Sequence, residues 1–214
     1  MDRPMDVRLA RLHYPIEALG PGRRVGVWFQ GCTLACAGCM SRDTWTSDGG
    51  WAMSVGDLAC KLVTIVRDHT LNGVTISGGE PFEQPDALRL LVEHIANDLP
   101  DTDVLVFSGF TQRYLERHHS EILTLVDAVV SGRFVAGRPT DEPWRGSANQ
   151  RLVVLRDRAR LRYAPESVVG PRLQVGADEH GLYVTGIPRR SDLDGLVDAL
   201  AARGVLLDEV SWRP

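Results

Sequence analysis

Three of the four cysteines in this chain fall within eight positions, as Cys32-x3-Cys36-x2-Cys39. A thiolate is a soft ligand, suited to iron–sulfur clusters and to zinc. Complete electron-transfer clusters usually take four cysteines. Three on one loop can wrap three irons of a [4Fe-4S] cubane and leave the fourth open to chelate a small molecule through an amine and a carboxylate. The other chemistry open to this triad is structural zinc, with His13 or another residue completing a tetrahedron, although such sites more often use paired C-x2-C units. The fourth thiol, Cys60, sits inside a predicted helix and reads as a small buried apolar residue.

A second pattern lies further on, at Ser77-Gly78-Gly79-Glu80-Pro81. Paired glycines after a buried strand let the backbone approach a ligand closely. Glu80 and exposed backbone polar groups can meet an ammonium, and Pro81 stiffens the turn. The plain alternative is a strand-to-helix turn. Phe107-Ser108-Gly109-Phe110 is equally readable as a pocket wall or a turn.

These residues need elements to place them. Val7–Leu12 reads as a short leading strand, Gly20-Pro21-Gly22 as a turn, and Val25–Gln30 as a buried strand. Residues 31–53 read as one long loop, a length that usually signals function. Ser54 opens a helix with Asp57 three residues on, and Val55, Leu58, Leu62, Ile65 and Val66 form its apolar stripe. Further strands are expected at Gly73–Ser77, Val104–Phe107, Asp127–Val130 and Leu152–Leu155, and helices at Pro85–Ala96 and Gln112–His118. Buried parallel strands alternating with helices imply an α/β fold, an open or partial (β/α) barrel. Sites in such folds lie at the C-terminal ends of the strands. The loops 31–45, 78–82, 108–111 and 131–138 all fall there. Beyond about residue 160, Arg172–Val175 and Leu182–Ile187 can pair as a hairpin, and Ser191 or Asp192 can cap a last helix through Leu200. The expected division is a core over 1–160 and a small α+β appendage over 161–214.

The bulk properties are those of an ordinary soluble protein: 43% hydrophobic residues, 24% charged and a net charge of -4 over 214 residues. That balance offers no electrostatic reason to expect nucleic acid or an anionic membrane. No run of about 18 apolar residues exists, and Met1–Ala10 lacks the apolar stretch of a secretory signal. The expectation is a cytoplasmic protein, in which clustered thiols point to metal or redox chemistry rather than disulfides.

Gly31-Cys32-Thr33-Leu34-Ala35-Cys36-Ala37-Gly38-Cys39, followed by Thr44-Trp45, resembles the cluster loop of radical SAM proteins, most closely the activating enzymes of anaerobic (class III) ribonucleotide reductase. Gly20-Pro21-Gly22-Arg23 resembles the segment preceding that loop in glycyl-radical activases. Ser77–Pro81 is similar to the superfamily's glycine-rich turn for S-adenosylmethionine, and Trp144–Gln150 to a late segment of the same subgroup. The resemblance covers roughly residues 7–155. It implies a [4Fe-4S] cluster on Cys32, Cys36 and Cys39, and S-adenosylmethionine held by Gly38, Met40, Gly78, Gly79, Glu80 and Pro81, with Ser108 and Gly109 beside the nucleoside. It also implies a radical SAM fold, an electron donor such as flavodoxin or ferredoxin, and a glycyl-radical enzyme as the partner that is activated. No catalytic residue beyond the cluster is implied. Two positions depart from the pattern. Met40 stands where the subgroup often has Tyr, and Ser131 where an Asp is expected. With the extra C-terminal unit, they leave open a direct action on a small molecule or peptide.

Overall fold

The computed structural model describes residues 5–165, 170–178 and 181–207. The first strand, β1 (Asp6–Ile16), runs antiparallel to β2 (Arg24–Phe29), because the short 17–23 turn can only reverse the chain. All six β2 residues are buried, as expected of a strand covered on both faces. A strand β3 (Trp51–Ser54) pairs antiparallel with β1. Helix α1 (Val55–Asp68) follows, then β4 (Gly73–Gly78), α2 (Pro85–Asp98), β5 (Asp103–Ser108), α3 (Gln112–His118), α4 (Ser120–Leu123), β6 (Ala128–Ser131) and β7 (Arg151–Val154). One seven-stranded sheet results, in the order β3-β1-β2-β4-β5-β6-β7. The pairs β2–β4, β4–β5 and β5–β6 are parallel, and β7 returns antiparallel to β6.

Local chemistry explains the helices. The Ser54 hydroxyl accepts from the Asp57 amide at 3.0 Å and donates to the Asp57 carboxylate at 2.7 Å, closing the first turn of α1. Pro85 opens α2, where a missing N–H does no harm. Val55, Leu58, Leu62, Ile65 and Val66 of α1 and Leu88, Leu91, Val92 and Ile95 of α2 are buried against Val25, Val27, Phe29, Val74, Ile76, Val104 and Val106. Burying each large side chain contributes about 1.5–3 kcal/mol. The alternate residues of the same strands, Trp28, Ser77, Leu105 and Phe107, belong to the other face.

Three expectations need correction. Residues 31–53 are not one loop: Arg42–Thr44 forms a 3-10 turn and β3 ends the segment. β3 escaped notice because its burial is partial and only its pairing with β1 stabilises it. The strands are not all parallel. β1, β3 and β7 lie at or toward the sheet edges, and β6 and β7 are joined without a crossover helix. Cys60 is exposed, not buried, because it lies on α1 opposite the apolar stripe.

The C-terminal unit comprises the hairpin β8 (Leu173–Asp178) and β9 (Gly181–Gly186) and helix α5 (Arg190–Ala201). Residues 179–180 at the expected hairpin turn and 208–214 of the expected appendage lie outside the described residues. The hairpin docks on β1. The Gln174 amide accepts from the Glu17 N–H and donates to the Pro15 carbonyl, each at 2.9 Å. His13 and Tyr183 stack with centroids 3.8 Å apart. Among the described residues no helix is long and apolar enough to cross a membrane.

Candidate metal centre

Cys32, Cys36 and Cys39 lie on the loop leaving β2, each partly accessible. Main-chain bonds from Gly31 N to Thr44 O (2.8 Å) and from Cys32 N to Trp45 O (3.0 Å) pin the two ends of this loop together. The Gln30 amide reinforces the closure by donating to the Thr46 carbonyl at 2.7 Å. Within the loop, Cys39 N donates to Cys36 O at 3.1 Å, and Gly38 adopts a positive φ of 78° that its lack of Cβ permits. The Cys39 sulfur accepts from the Ser41 amide at 3.4 Å.

The loops at the C-terminal ends of β4, β5 and β6 converge on this one. Gly79 N donates to Phe29 O and Glu80 N to Gly31 O, both at 2.8 Å. A Cβ at Gly79 would stand 2.1 Å from the Gly31 carbonyl oxygen, so the second glycine exists to let two backbones touch. Glu83 accepts from the Thr33 hydroxyl at 2.5 Å and from its amide at 3.0 Å. Gly109 leaves room for Leu34, whose side chain a Cβ would meet at 2.3 Å. From the loop after β6, the Arg133 guanidinium donates to the Leu34 carbonyl.

Glu80 is where the structure departs most from a simple picture of a ligand-facing carboxylate. It is 1% exposed. Its carboxylate accepts from Gly109 N (2.7 Å), Ser108 Oγ (2.9 Å) and Phe82 N (3.1 Å). Glu80, Ser108 and Gly109 therefore form one buried tie between the rims of β4 and β5. Burial pushes the Glu80 carboxyl up to about 7 against these hydrogen bonds. Pro81 is also buried. Met40 borders a cavity beside Ser41 and Ser77.

The donor set fits an iron–sulfur cubane: three soft thiols on one loop, with the remaining cysteine away on α1. Burial raises the Cys32 thiol to about 11 and also raises that of Cys39, so metal binding must displace their protons. Among the described residues no three or more His, Cys, Asp or Glu side chains are gathered as a single metal ion requires. His13, the residue considered as a fourth zinc ligand, lies against Tyr183 and Trp28. Thr33–Glu83 and Arg133–Leu34 escaped sequence reading because contacts between side chains and distant backbone leave no local pattern. Arg133 had one visible signal, a basic residue in a rim loop.

The 4Fe-4S single cluster domain family matches residues 18–153. The chain is 30% identical over 144 residues to the anaerobic ribonucleoside-triphosphate reductase-activating protein of Vibrio cholerae, covering 64% of this chain and 92% of that protein. It is 30% identical over 142 residues to the protein of the same name from Enterobacteria phage T4 (65% and 89% covered). The corresponding protein of Escherichia coli K12 is 29% identical over 147 residues (64% and 93%). The family match ends before β8, so the hairpin and α5 lie beyond it.

Proposed function

This chain belongs to the 4Fe-4S single cluster domain family, and on that premise we propose that it is a radical SAM activating enzyme that installs a glycyl radical on an anaerobic ribonucleotide reductase. The observation that carries the reading is the convergence of the three-cysteine loop and the Gly78-Gly79-Glu80 turn on one rim of the sheet. The activity in the relatives' names supports the choice of partner. In this reading the parallel strands with α1 and α2 outside them are a partial (β/α) barrel, residues 1–160 are the catalytic core, and 161–214 an appendage.

When bound, a [4Fe-4S] cluster would supply the single electron for reductive cleavage of S-adenosylmethionine. The chain's own residues do the rest. Cys32, Cys36 and Cys39 are the residues that would hold the cluster. The Gly31–Thr44 and Cys32–Trp45 bonds preset the loop. Glu80, hydrogen-bonded by Ser108 and Gly109, fixes the spacing of the rims against which S-adenosylmethionine would lie. Trp28, Phe107 and Met40 wall the adjoining cavity and exclude water from a reactive radical. A flavodoxin or ferredoxin of the cytoplasm delivers the electron.

One observation favours a second reading, direct action on a small molecule or peptide. Ser131, where a carboxylate is expected, is 2% exposed, and its hydroxyl has no partner among the described residues. The test is anaerobic reconstitution with iron and sulfide, reduction, and assay of 5′-deoxyadenosine from S-adenosylmethionine. An added anaerobic reductase is then examined for a glycyl radical by electron paramagnetic resonance. Deoxyadenosine together with that signal supports activation, deoxyadenosine without it moves the weight to the second reading, and bound zinc with no deoxyadenosine overturns both.

A further inference from the structure

The C-terminal unit, with β8, β9 and α5, lies beyond the family match, which ends at residue 153. It covers the sheet face opposite α1 and α2 and leaves a cavity of about 310 Å³ beneath it. Trp28, Ser77 and Phe107 of β2, β4 and β5 line one side, together with Met40 and Ser41, which follow Cys39 directly. Val175 of β8, residues 182–187 along β9, and Leu196 and Leu200 of α5 line the other. All three elements of the unit therefore border the same space as the segment leaving the cluster loop. The volume is at the small end for ligand sites, about 300–1,000 Å³. It does not admit a folded protein surface.

The unit is fastened at few points, and most of them are polar. Among the described residues no main-chain hydrogen bond joins β8 or β9 to the seven-stranded sheet. Gln174 spans the gap with its side chain alone, accepting from the Glu17 N–H and donating to the Pro15 carbonyl. Tyr183 stacks on His13. Of the unit's described side chains, only Ile187 packs against a buried cluster of the core. The remaining fastening is Asp141, in the loop between β6 and β7. Its carboxylate pairs with Arg172 at 3.4 Å and with Arg189. Arg172 directly precedes β8 and Arg189 directly precedes α5, so one carboxylate holds both ends of the unit. The three side chains are 77%, 42% and 56% exposed. Ion pairs this exposed are weak and are screened by salt. Contacts of this kind release a segment long before the core opens.

We propose that the C-terminal unit is a lid, latched by Asp141 to Arg172 and Arg189, that shuts the cluster face and must lift before a protein partner engages it. Shut, it keeps bulk water from the face on which radical chemistry would run. Lifted, it bares Trp28, Phe107 and Met40 to a macromolecule. A partner that binds only the lifted form draws the equilibrium toward it by that difference in affinity. The family match stops short of the unit, so the lid is an addition to the matched core. The inference rests on the activase reading and adds to it a control on partner access.

The test uses the full-length, cluster-reconstituted protein and follows the Glu17 amide by hydrogen–deuterium exchange, because that N–H is released when Gln174 departs. Asp141→Arg sets three cations together and should speed Glu17 exchange several-fold. The charge swap that adds Arg172→Asp and Arg189→Asp should restore the slow rate. An anaerobic ribonucleoside-triphosphate reductase should speed the same amide in the unaltered protein. Glycyl radical on that reductase, followed by electron paramagnetic resonance, should accumulate several-fold faster with Asp141→Arg than with the unaltered protein or the swap. Unchanged Glu17 exchange in either experiment overturns the lid. A radical that forms at one rate with all three proteins, or more slowly with Asp141→Arg, also overturns it and spares the activase reading. No glycyl radical with any of them overturns the choice of partner and the lid with it, while Cys36-dependent deoxyadenosine formation reports separately on the chemistry.

Discussion

Arg24 of β2 and Asp103 of β5 form a fully buried ion pair 2.6 Å long that reaches across β4, the strand between them. Gly73 makes the crossing possible, since a Cβ there would stand 2.4 Å from the guanidinium. Arg24 also donates to Thr75 Oγ1 at 2.7 Å and to the Val74 carbonyl at 2.8 Å, and Tyr163 donates to Asp103 at 2.7 Å. Removing one partner strands a buried charge. Asp103→Ala should therefore destabilise the protein by about 3–5 kcal/mol, and Tyr163→Phe by about 1 kcal/mol. Urea unfolding of the two variants checks both values; equal, small shifts would mean that water reaches the pair.

Glu80 makes stability depend on pH. Its folded pKa is raised to about 7, against 4.5 for a free carboxyl, because burial disfavours the charge. Between those values the folded state binds more protons than the unfolded state, so this group's contribution is full below about pH 4.5 and is lost as pH rises through 7. Glu80→Gln should remove that slope. Below pH 7 it should also lower stability, because the amide NH2 then faces at least one of the donors that Glu80 accepts from. Thermal melts from pH 5 to 8 on both proteins measure the difference.

Gly79→Ala tests whether the glycine-rich turn shapes the cluster loop. The added Cβ would collide with the Gly31 carbonyl oxygen, which is backbone and cannot rotate away. The loop must shift, and the expected outcome is a several-fold fall in iron bound after reconstitution. Gly56→Ala, in open space on α1, is the control and should bind iron normally. Iron-to-protein ratios by colorimetry decide it.

Cys36→Ala should abolish the reconstituted cluster's visible absorption and all deoxyadenosine formation. Cys60→Ala should leave both unchanged, because that thiol is exposed on the outer side of α1. Loss of absorption in the Cys60 variant would mean that the cluster takes a ligand from outside the loop.

Much of this molecule is local in origin. The Cys32–Cys39 spacing, the Ser54 cap, the apolar stripes of α1 and α2, and the runs that became β2, β4, β5 and β6 are properties of neighbouring residues, set by ligand chemistry, helical period and burial of both sheet faces. They could be read before folding, and so could the placement of the informative loops at the strand ends. What only the tertiary structure decided depends on residues far apart in the chain. β3 exists because β1 offers it an edge, and β7 is antiparallel because no helix carries the chain back. Glu80 faces inward because Ser108 and Gly109, some 28 positions on, supply donors that a buried carboxylate must have. β9 lines a cavity beside Met40 only because Gln174 and Tyr183 dock the hairpin on β1. Short-range patterns follow from covalent spacing, whereas these contacts follow from which surfaces meet when the sheet closes on its core.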